Sequence, residues 1–143
     1  MIFSKSFGYA LRSVLYLALV SDEKPRVYIE EIAGALHIPR HFLGKIMKLM
    51  AREGIIDSVK GPFGGFSVNK KTTTTSLIRI ITLTNGTAQF NECILRLKKC
   101  NADEPCPLHH RMERNRKELK AIFKETTIGD LMKNNSNDFI GLI

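Results

Sequence analysis

The sequence predicts a mainly α-helical fold that contains one small β-hairpin. Apolar residues recur at helical spacing along most of the chain, and a single Gly/Pro-rich connection separates two short β-rich runs. A long charged stretch near the C-terminal end has only a narrow apolar edge, which predicts a helix that extends from the domain. The chain has 143 residues, 43% of them hydrophobic, which suffices for one compact domain with such an extension.

The first three helices are predicted from their apolar stripes. The first spans residues 3–20, the second spans residues 29–36 and the third spans residues 39–53, with Pro39 at its first position. We expect the third helix to bury an apolar face formed by Phe42, Leu43, Ile46, Met47, Leu49 and Met50. Its opposite face is basic and polar and consists of Arg40, His41, Gly44, Lys45, Lys48 and Arg52.

A β-hairpin is predicted after the third helix, from residues 55–59 and 66–68 joined by the sequence KGPFGG. Helix, short helix, turn, helix and hairpin is the element order of a winged helix-turn-helix fold. In that fold the third helix enters a DNA major groove, and the hairpin tip meets phosphate or the minor groove. The predicted DNA-binding residues are therefore Arg40, His41, Lys45, Lys48, Lys60, Gly64 and Gly65. A helix-hairpin unit that binds other proteins is the alternative.

Two further helices are predicted beyond the hairpin. One spans residues 76–84, and a long one spans residues 107–125 with Leu108, Met112, Leu119, Ile122 and Phe123 along one side. This stripe is close to a heptad seam, with Asn115 at an intervening position, and such an edge is typical of a helix that pairs with a second copy. The alternative is packing against its own domain. We therefore divide the chain into a winged helix-turn-helix region (1–71), a linker helix with a cysteine loop (72–106), and a dimerisation helix with a tail (107–143).

The charge balance favours a polyanionic partner. There are 22 Lys and Arg against 14 Asp and Glu, a formal net charge of +8, which fits nucleic acid or an anionic membrane surface, although a merely basic protein would look the same. The apolar run at residues 14–20 is far shorter than the roughly 20 residues of a spanning helix, so we expect a cytoplasmic protein without a membrane partner. The sequence has no G-x-x-x-x-G-K loop and no clear triad spacing, so we do not expect an enzyme.

All three cysteines lie in the segment ECILRLKKCNADEPCPLHH, residues 92–110. In a reducing compartment an odd number of clustered thiols favours metal or redox chemistry over structural disulfides. Three Cys and one His would suit zinc, but the C-x6-C-x5-C spacing lacks the close cysteine pairs that zinc sites favour. The pattern is also compatible with a disulfide between two of the cysteines, with three unrelated surface thiols, or with a Cys–His nucleophile pair formed by Cys106 and His109.

Motifs along almost the whole chain resemble one family of bacterial regulators. They are GYALR (8–12), IEEIA (29–33), IPRHFL (38–43), VKGPFGGF (59–66), CPLH (106–109) and TIGDL (127–131). In this order, with three clustered cysteines, they resemble the Rrf-two-type transcription regulators, whose members include the iron–sulfur regulator IscR, the nitric-oxide sensor NsrR and the cysteine-metabolism repressor CymR. The resemblance implies a homodimer that binds a roughly palindromic operator in double-stranded DNA.

The resemblance also implies a cofactor and its ligands. Cys93, Cys100, Cys106 and His109 match the positions that hold an iron–sulfur cluster in IscR-like members, and a 2Fe–2S cluster is favoured over a 4Fe–4S cluster. The chain departs from the usual pattern in three respects. Six residues instead of five separate the first two cysteines, Phe63 occupies a position of the hairpin where glycine is common, and Gly8 lies near the place where some relatives supply a carboxylate ligand. Zinc is the alternative cofactor. We expect the cluster to switch DNA binding.

Overall fold

The computed structural model describes residues 3–93, 95 and 103–133. The chain forms α1 (Lys5–Val20), α2 (Ile29–Leu36), α3 (Arg40–Arg52), β1 (Asp57–Val59), β2 (Gly65–Ser67), α4 (Leu77–Asn85), a short 3-10 turn (Ala88–Phe90), α5 (His109–Glu125) and α6 (Ile128–Lys133). This is the predicted winged helix-turn-helix order followed by a long helix. The three-part division of the chain stays a prediction, and part of its cysteine loop and tail lies outside the described residues.

α1 lies at the centre of the domain and contacts α2, α3, α4 and α6. It begins two residues later than predicted because Ser4 caps it: the Ser4 Oγ accepts a hydrogen bond from the Phe7 amide at 3.2 Å. The apolar stripe predicted for this helix comprises Phe7, Ala10, Leu11, Val14, Leu17 and Ala18. All of these residues are less than a tenth exposed except Leu11, which is half-buried. The apolar side of α1 is therefore the surface against which α2, α3, α4 and α6 pack.

A tight turn at His37 joins α2 to α3. His37 adopts the left-handed conformation (φ 53°), and the Ile38 amide donates to the Ala33 carbonyl at 3.0 Å, which ends α2. Pro39 then occupies the N-cap position, so that α3 begins one residue later than expected, and its carbonyl accepts from the Leu43 amide at 3.1 Å. Ile38 is buried between the two helices, which fixes their relative position.

The buried face of α3 is narrower than predicted. Leu43, Ile46, Met47 and Met50 are buried, but Phe42 is 52% exposed and Leu49 is only half-buried, so the expectation for Phe42 was wrong. At about 100° per residue, Phe42 and Leu49 project roughly a quarter turn away from the centre of the buried stripe. Phe42 instead places its ring 4.1 Å from that of His41. Sequence periodicity identified the stripe but not how far the core extends around the helix.

The hairpin is confirmed as an antiparallel pair in which Asp57 faces Ser67 and Val59 faces Gly65. A third segment, which the sequence did not indicate, extends it. Val27 exchanges two backbone hydrogen bonds with Phe66, at 2.8 and 2.9 Å, and thereby ties the hairpin to the segment between α1 and α2. Both Val27 and Phe66 are buried. We refer to residues 57–67 as the wing.

One edge of α5 packs back on the domain and another does not. Phe123 lies in an aromatic cluster with Phe3, Phe7 and Phe90, at ring-centroid distances of 4.9 to 6.2 Å. Leu108 and Ile122 are instead 41% and 56% exposed. The helix therefore packs against its own domain, as one of the two alternatives predicted. It also leaves an apolar edge in solvent, as the pairing alternative requires. Within the described ranges, no helix is both long and apolar enough to cross a membrane.

The start of α6 is held against the segment that precedes α4. The Ile128 amide donates to Thr75 at 3.0 Å, and the Leu77 amide donates to Thr126 at 2.9 Å. Thr127 and Asp130 cap α6 reciprocally, and the backbone hydrogen bond from Thr127 holds the pKa of Asp130 below its usual range. Ile128 is fully buried. The TIGDL motif therefore adds a buried side chain to the core after α5 and ties the start of α6 to the segment before α4.

Thr72→Val should destabilise the fold by about 2 kcal/mol. Thr72 is fully buried, donates to the Ile55 carbonyl at 2.7 Å and accepts from the Asn69 amide at 2.9 Å, and valine would leave both groups without a partner. Urea unfolding measures the change. Thr74→Val is the matched control because Thr74 is exposed, and it should change stability by less than about 0.5 kcal/mol. Equal stability of the two variants would contradict this role for Thr72.

Candidate DNA-binding surface and cysteine recess

The exposed side of α3 carries a line of basic and polar side chains. His41, Lys45, Lys48 and Arg52 are all exposed and are spaced four, three and four residues apart, which places them on one face of the helix. This basic stripe lies opposite the buried stripe formed by Leu43, Ile46, Met47 and Met50. Packing of the apolar side onto the core therefore directs the basic side into solvent.

Arg40 lies beside the basic stripe, on the flank that faces α2. Its Nε is 2.9 Å from the Glu30 Oε1, and both side chains are more than 60% exposed. Hydrogen bonds from its own backbone amide and from Arg40 lower the pKa of Glu30. An ion pair this exposed contributes little to stability, about 0–1 kcal/mol, so Arg40 can exchange Glu30 for another anion. Periodicity along the chain could not indicate this pairing because the two residues lie on different helices.

Gly44 does not belong to the exposed face on which the sequence placed it. It is half-buried and faces α2, where an added Cβ would lie 3.5 Å from the Ile29 Cδ1. That is an ordinary van der Waals distance, so the site has room for a small side chain. Because Gly44 faces α2, its missing side chain does not allow DNA to approach the helix more closely.

The tip of the wing is held by contacts that the sequence did not predict. The Tyr28 hydroxyl donates to the Pro62 carbonyl at 2.7 Å, and the Arg26 Nη1 donates to the Phe63 carbonyl at 3.2 Å. The Gly64 amide donates to the Gly61 carbonyl at 2.9 Å, which closes the turn. Lys60 and Phe63 are exposed at this tip. The side chains of Arg26 and Tyr28 thus hold the backbone of the wing tip, which carries Lys60 and Phe63.

The predicted contact residues Gly64 and Gly65 have a steric role in the wing. A Cβ on Gly64 would lie 2.2 Å from the Val59 carbonyl oxygen, and Gly65 has a φ of +127°, which L residues rarely adopt. Gly64 is buried, and its amide is already engaged in the turn. These glycines therefore set the shape of the tip, and their contact with DNA stays a prediction.

Three of the four predicted cluster ligands surround one small, open recess. Its lining consists of Cys93, Leu95, Cys106, Leu108, His109, Met112 and Arg116. Both of these cysteines are half-buried, and the His109 side chain is only 9% exposed. The fourth predicted ligand, Cys100, lies outside the described residues. Two sulfurs and one imidazole thus share a recess whose other lining is largely apolar.

Local geometry connects this recess to α5. His109 is the first residue of the helix, and its amide donates to the Cys106 carbonyl at 2.9 Å. One turn further on, Glu113 lies with its Oε2 3.9 Å from the His109 Nε2, and a hydrogen bond from Lys117 lowers the pKa of Glu113. Arg116 donates to the Glu92 carbonyl, next to Cys93. The two ends of the cysteine segment are therefore joined through α5.

The described part of the chain does not contain a preformed metal site. No three His, Cys, Asp or Glu side chains among the described residues are close enough together to hold an ion. The residues that line the recess have the right donor atoms for a metal or cluster, because thiolate sulfur and imidazole nitrogen bind both iron–sulfur clusters and zinc. The recess is therefore chemically suited to such a group.

The comparisons with known proteins agree with the fold. The model of the Rrf2 family, described as iron-dependent transcriptional regulators, matches residues 3–134. The chain belongs to the Rrf2 family. This confirms the resemblance to the Rrf-two-type regulators, and it means that the chain is related to transcription regulators that bind DNA, not to enzymes.

Individual relatives of the Rrf2 family match over most of the chain. A protein of Aquifex aeolicus classed as an HTH-type transcriptional regulator is 42% identical over 134 residues, which cover 92% of each chain. The HTH-type transcriptional regulator NsrR of Geobacillus kaustophilus is 25% identical over 130 residues, 90% of this chain and 88% of that protein. The solved structure of CymR, the global cysteine regulator of B. subtilis, superposes with a TM-score of 0.73 at 22% identity, covering 94% of this chain and 98% of that chain.

Glu30→Gln should strengthen the binding of duplex DNA up to about fivefold, because it releases Arg40 from an exposed ion pair and removes a negative charge beside the basic stripe. Titration of a labelled duplex at low and high salt measures the effect, which should shrink as salt increases. Glu23→Gln, in the exposed turn after α1, removes the same charge away from α3 and is the control. An equal gain in both variants would mean that only net charge matters.

Proposed function

We propose that this chain is a homodimeric transcription regulator that binds a roughly palindromic operator in double-stranded DNA, and that an iron–sulfur cluster switches this binding. The observation that carries the DNA-binding part is the division of α3 into a buried stripe and an opposite basic stripe. The sharing of one recess by Cys93, Cys106 and His109 supports the cluster. Redox state, nitric oxide or the supply of iron–sulfur clusters would be the signal.

The DNA contacts divide according to position on α3 and the wing. Arg40 and His41 lie in the first turn of α3, where helix-turn-helix proteins contact base edges, so we assign them to sequence readout together with Lys45. Lys48 is two turns further along, and Lys60 is at the base of the wing tip, so we assign both to phosphates. Gly64 and Gly65 give the wing tip its shape, and we predict that this tip contacts the duplex.

Pairing through α5 would provide the second half of the binding site. Leu108 and Ile122 are exposed and lie 14 residues apart, two heptads, with exposed Asn115 midway between them. This repeat is typical of a helix that pairs with its copy, in which a single polar residue at the seam fixes the register. Paired recognition helices one DNA turn apart, about 34 Å, then match a palindrome.

The ligands proposed for the cluster are Cys93, Cys100, Cys106 and His109. Thiolates are the usual ligands of iron–sulfur clusters, and a histidine in place of one cysteine is the mixed set found in clusters with altered potential. A 2Fe–2S cluster is favoured over a 4Fe–4S cluster. When bound, the cluster supplies one-electron redox chemistry at this recess.

The residues around the recess provide a physical route to the DNA-binding half. His109 begins α5, and Arg116 of the same helix holds the Glu92 carbonyl. Near the end of α5, Phe123 packs on Phe3, which precedes α1, and on Phe7 in the first turn of α1. α1 contacts α3 in turn. A change in how residues 92–109 are held would therefore shift α5 relative to α1, and with it the spacing of the two α3 helices in a dimer.

The alternative is a regulator of the same fold without a cluster. Zinc could occupy the same three-Cys, one-His set, or two thiols could form a reversible disulfide. The similarity to CymR, whose name is that of a cysteine regulator, favours the thiol switch as the second candidate. The cluster, zinc and disulfide forms differ in iron, sulfide and zinc content, which makes them separable.

Lys48→Ala should weaken operator binding and reduce the slope of log affinity against log salt by about one, because each phosphate contact releases about 0.9 counterions. His41→Ala should instead lower the affinity for the operator more than the affinity for unrelated DNA. Fluorescence titrations across salt, with a duplex selected by the wild-type protein from a random pool, measure both. Wild-type binding that never exceeds the nonspecific level would contradict specific DNA recognition.

His109→Ala should abolish or alter the cluster, whereas His110→Ala should leave it intact. The two histidines are adjacent, but His110 is exposed and His109 is largely covered beside the two cysteines. Anaerobic purification, the visible absorption spectrum and assays of iron, sulfide and zinc measure the cofactor directly. Colourless wild-type protein with stoichiometric zinc would favour zinc as the cofactor, and metal-free protein with DNA binding that depends on thiol oxidation would favour the disulfide.

A further inference from the structure

Phe63 at the tip of the wing is 83% exposed, more than any other large apolar side chain in the described ranges. Single exposed apolar residues are common on protein surfaces, so exposure alone assigns no role to this ring. Its setting has two further features that point to an occupant: a backbone that is held in place, and two exposed cationic side chains nearby.

The backbone around Phe63 is constrained on both sides. Arg26 and Tyr28 donate to the carbonyls of Phe63 and Pro62, and the Gly64 amide closes the turn onto Gly61. Because a side chain on Gly64 would collide with the Val59 carbonyl, this tip conformation depends on glycine there. The backbone that carries the Phe63 ring is therefore already ordered, which lowers the conformational entropy lost when the ring binds a ligand.

The charges around the ring match nucleic acid. Arg26 contacts the Phe63 backbone itself, and Lys60 lies three residues before it; both are exposed. An exposed apolar ring with two cationic side chains near it suits a surface on which phosphates flank stacked bases. The wing lies next to α3, which it contacts through β1, so a duplex that occupies the basic stripe is the nearest ligand of this chemistry.

We propose that Phe63 is an apolar wedge that enters the minor groove of the operator, beside the segment read by α3, and partly separates two base pairs. Proteins that insert Phe, Leu or Met between base steps kink the duplex and favour steps that unstack easily, such as TA and CA. Lys60 and Arg26 would hold the phosphates on either side. Phe63 would then select sequence by DNA deformability. This inference rests on the DNA-binding part of the proposed function and is independent of the cofactor.

The test compares Phe63→Ala, Phe63→Leu and Lys60→Ala on a duplex selected by the wild-type protein from a random pool. Phe63→Ala should weaken binding about tenfold or more without changing the salt slope, because stacking contacts release no counterions. Phe63→Leu, which keeps an apolar wedge, should retain most of the affinity. Lys60→Ala should reduce the salt slope by about one.

Fluorescence of 2-aminopurine, placed in turn at each adenine of the duplex, reports unstacking directly. It should increase at one step with the wild-type protein and with Phe63→Leu, but not with Phe63→Ala. Unchanged melting temperatures show that each variant is folded.

Wild-type affinity in Phe63→Ala, or a change in its salt slope like that of Lys60→Ala, would overturn the wedge. Loss of the dimer in sedimentation of Phe63→Ala would also overturn it, since Phe63 would then belong to a protein contact. Wild-type protein that binds no duplex specifically would instead overturn the DNA-binding proposal itself.

Discussion

The burial of α1 is the constraint on which both functional surfaces depend. Its side chains Val14, Leu15 and Leu17 are almost completely removed from water, and the helix contacts α2 and α3 as well as α4 and α6. At its start, Phe7 joins the aromatic cluster that receives α5. The helices α2 and α3 and the long helix α5 are therefore packed on one helix. Close-packed interiors transmit displacement, so in the proposed switch a shift of α5 would be passed on to α1.

α3 shows how a core can determine the direction of a binding surface. Four buried side chains fix its rotation about its own axis, and the basic stripe on the opposite side is thereby directed outward. Arg40 is an exception, because Glu30 of α2 holds it beside the stripe. The wing is oriented differently: Val27, Arg26 and Tyr28 connect it to the segment between α1 and α2 through backbone and side-chain hydrogen bonds. A packed helix and a hydrogen-bonded hairpin thus make up one surface.

The cysteine segment depends on packing in another way. Its described thiols, those of Cys93 and Cys106, come from chain segments on either side of Cys100, and α5 brings them to one recess because His109 and Arg116 contact both ends. The same helix packs Phe123 against the core while Leu108, at its N-cap, and Ile122 stay exposed. α5 therefore lines the recess and packs against its own domain, and in the proposed dimer it would also contact a second copy.

The sequence by itself determined helices α1 to α5, the hairpin and the family, because each depends on local patterns, but it did not indicate α6. Helical periodicity identified the buried stripes of α1 and α3, the Gly/Pro-rich connection identified the wing, and motifs in order identified the Rrf2 relationship. Only the tertiary structure decided that Phe42 is exposed, that Gly44 faces Ile29, that Glu30 holds Arg40 and that Val27 pairs with the wing. Periodicity shows that an element has an apolar side, but which neighbour covers it, and how far around, depends on contacts between segments distant in the chain.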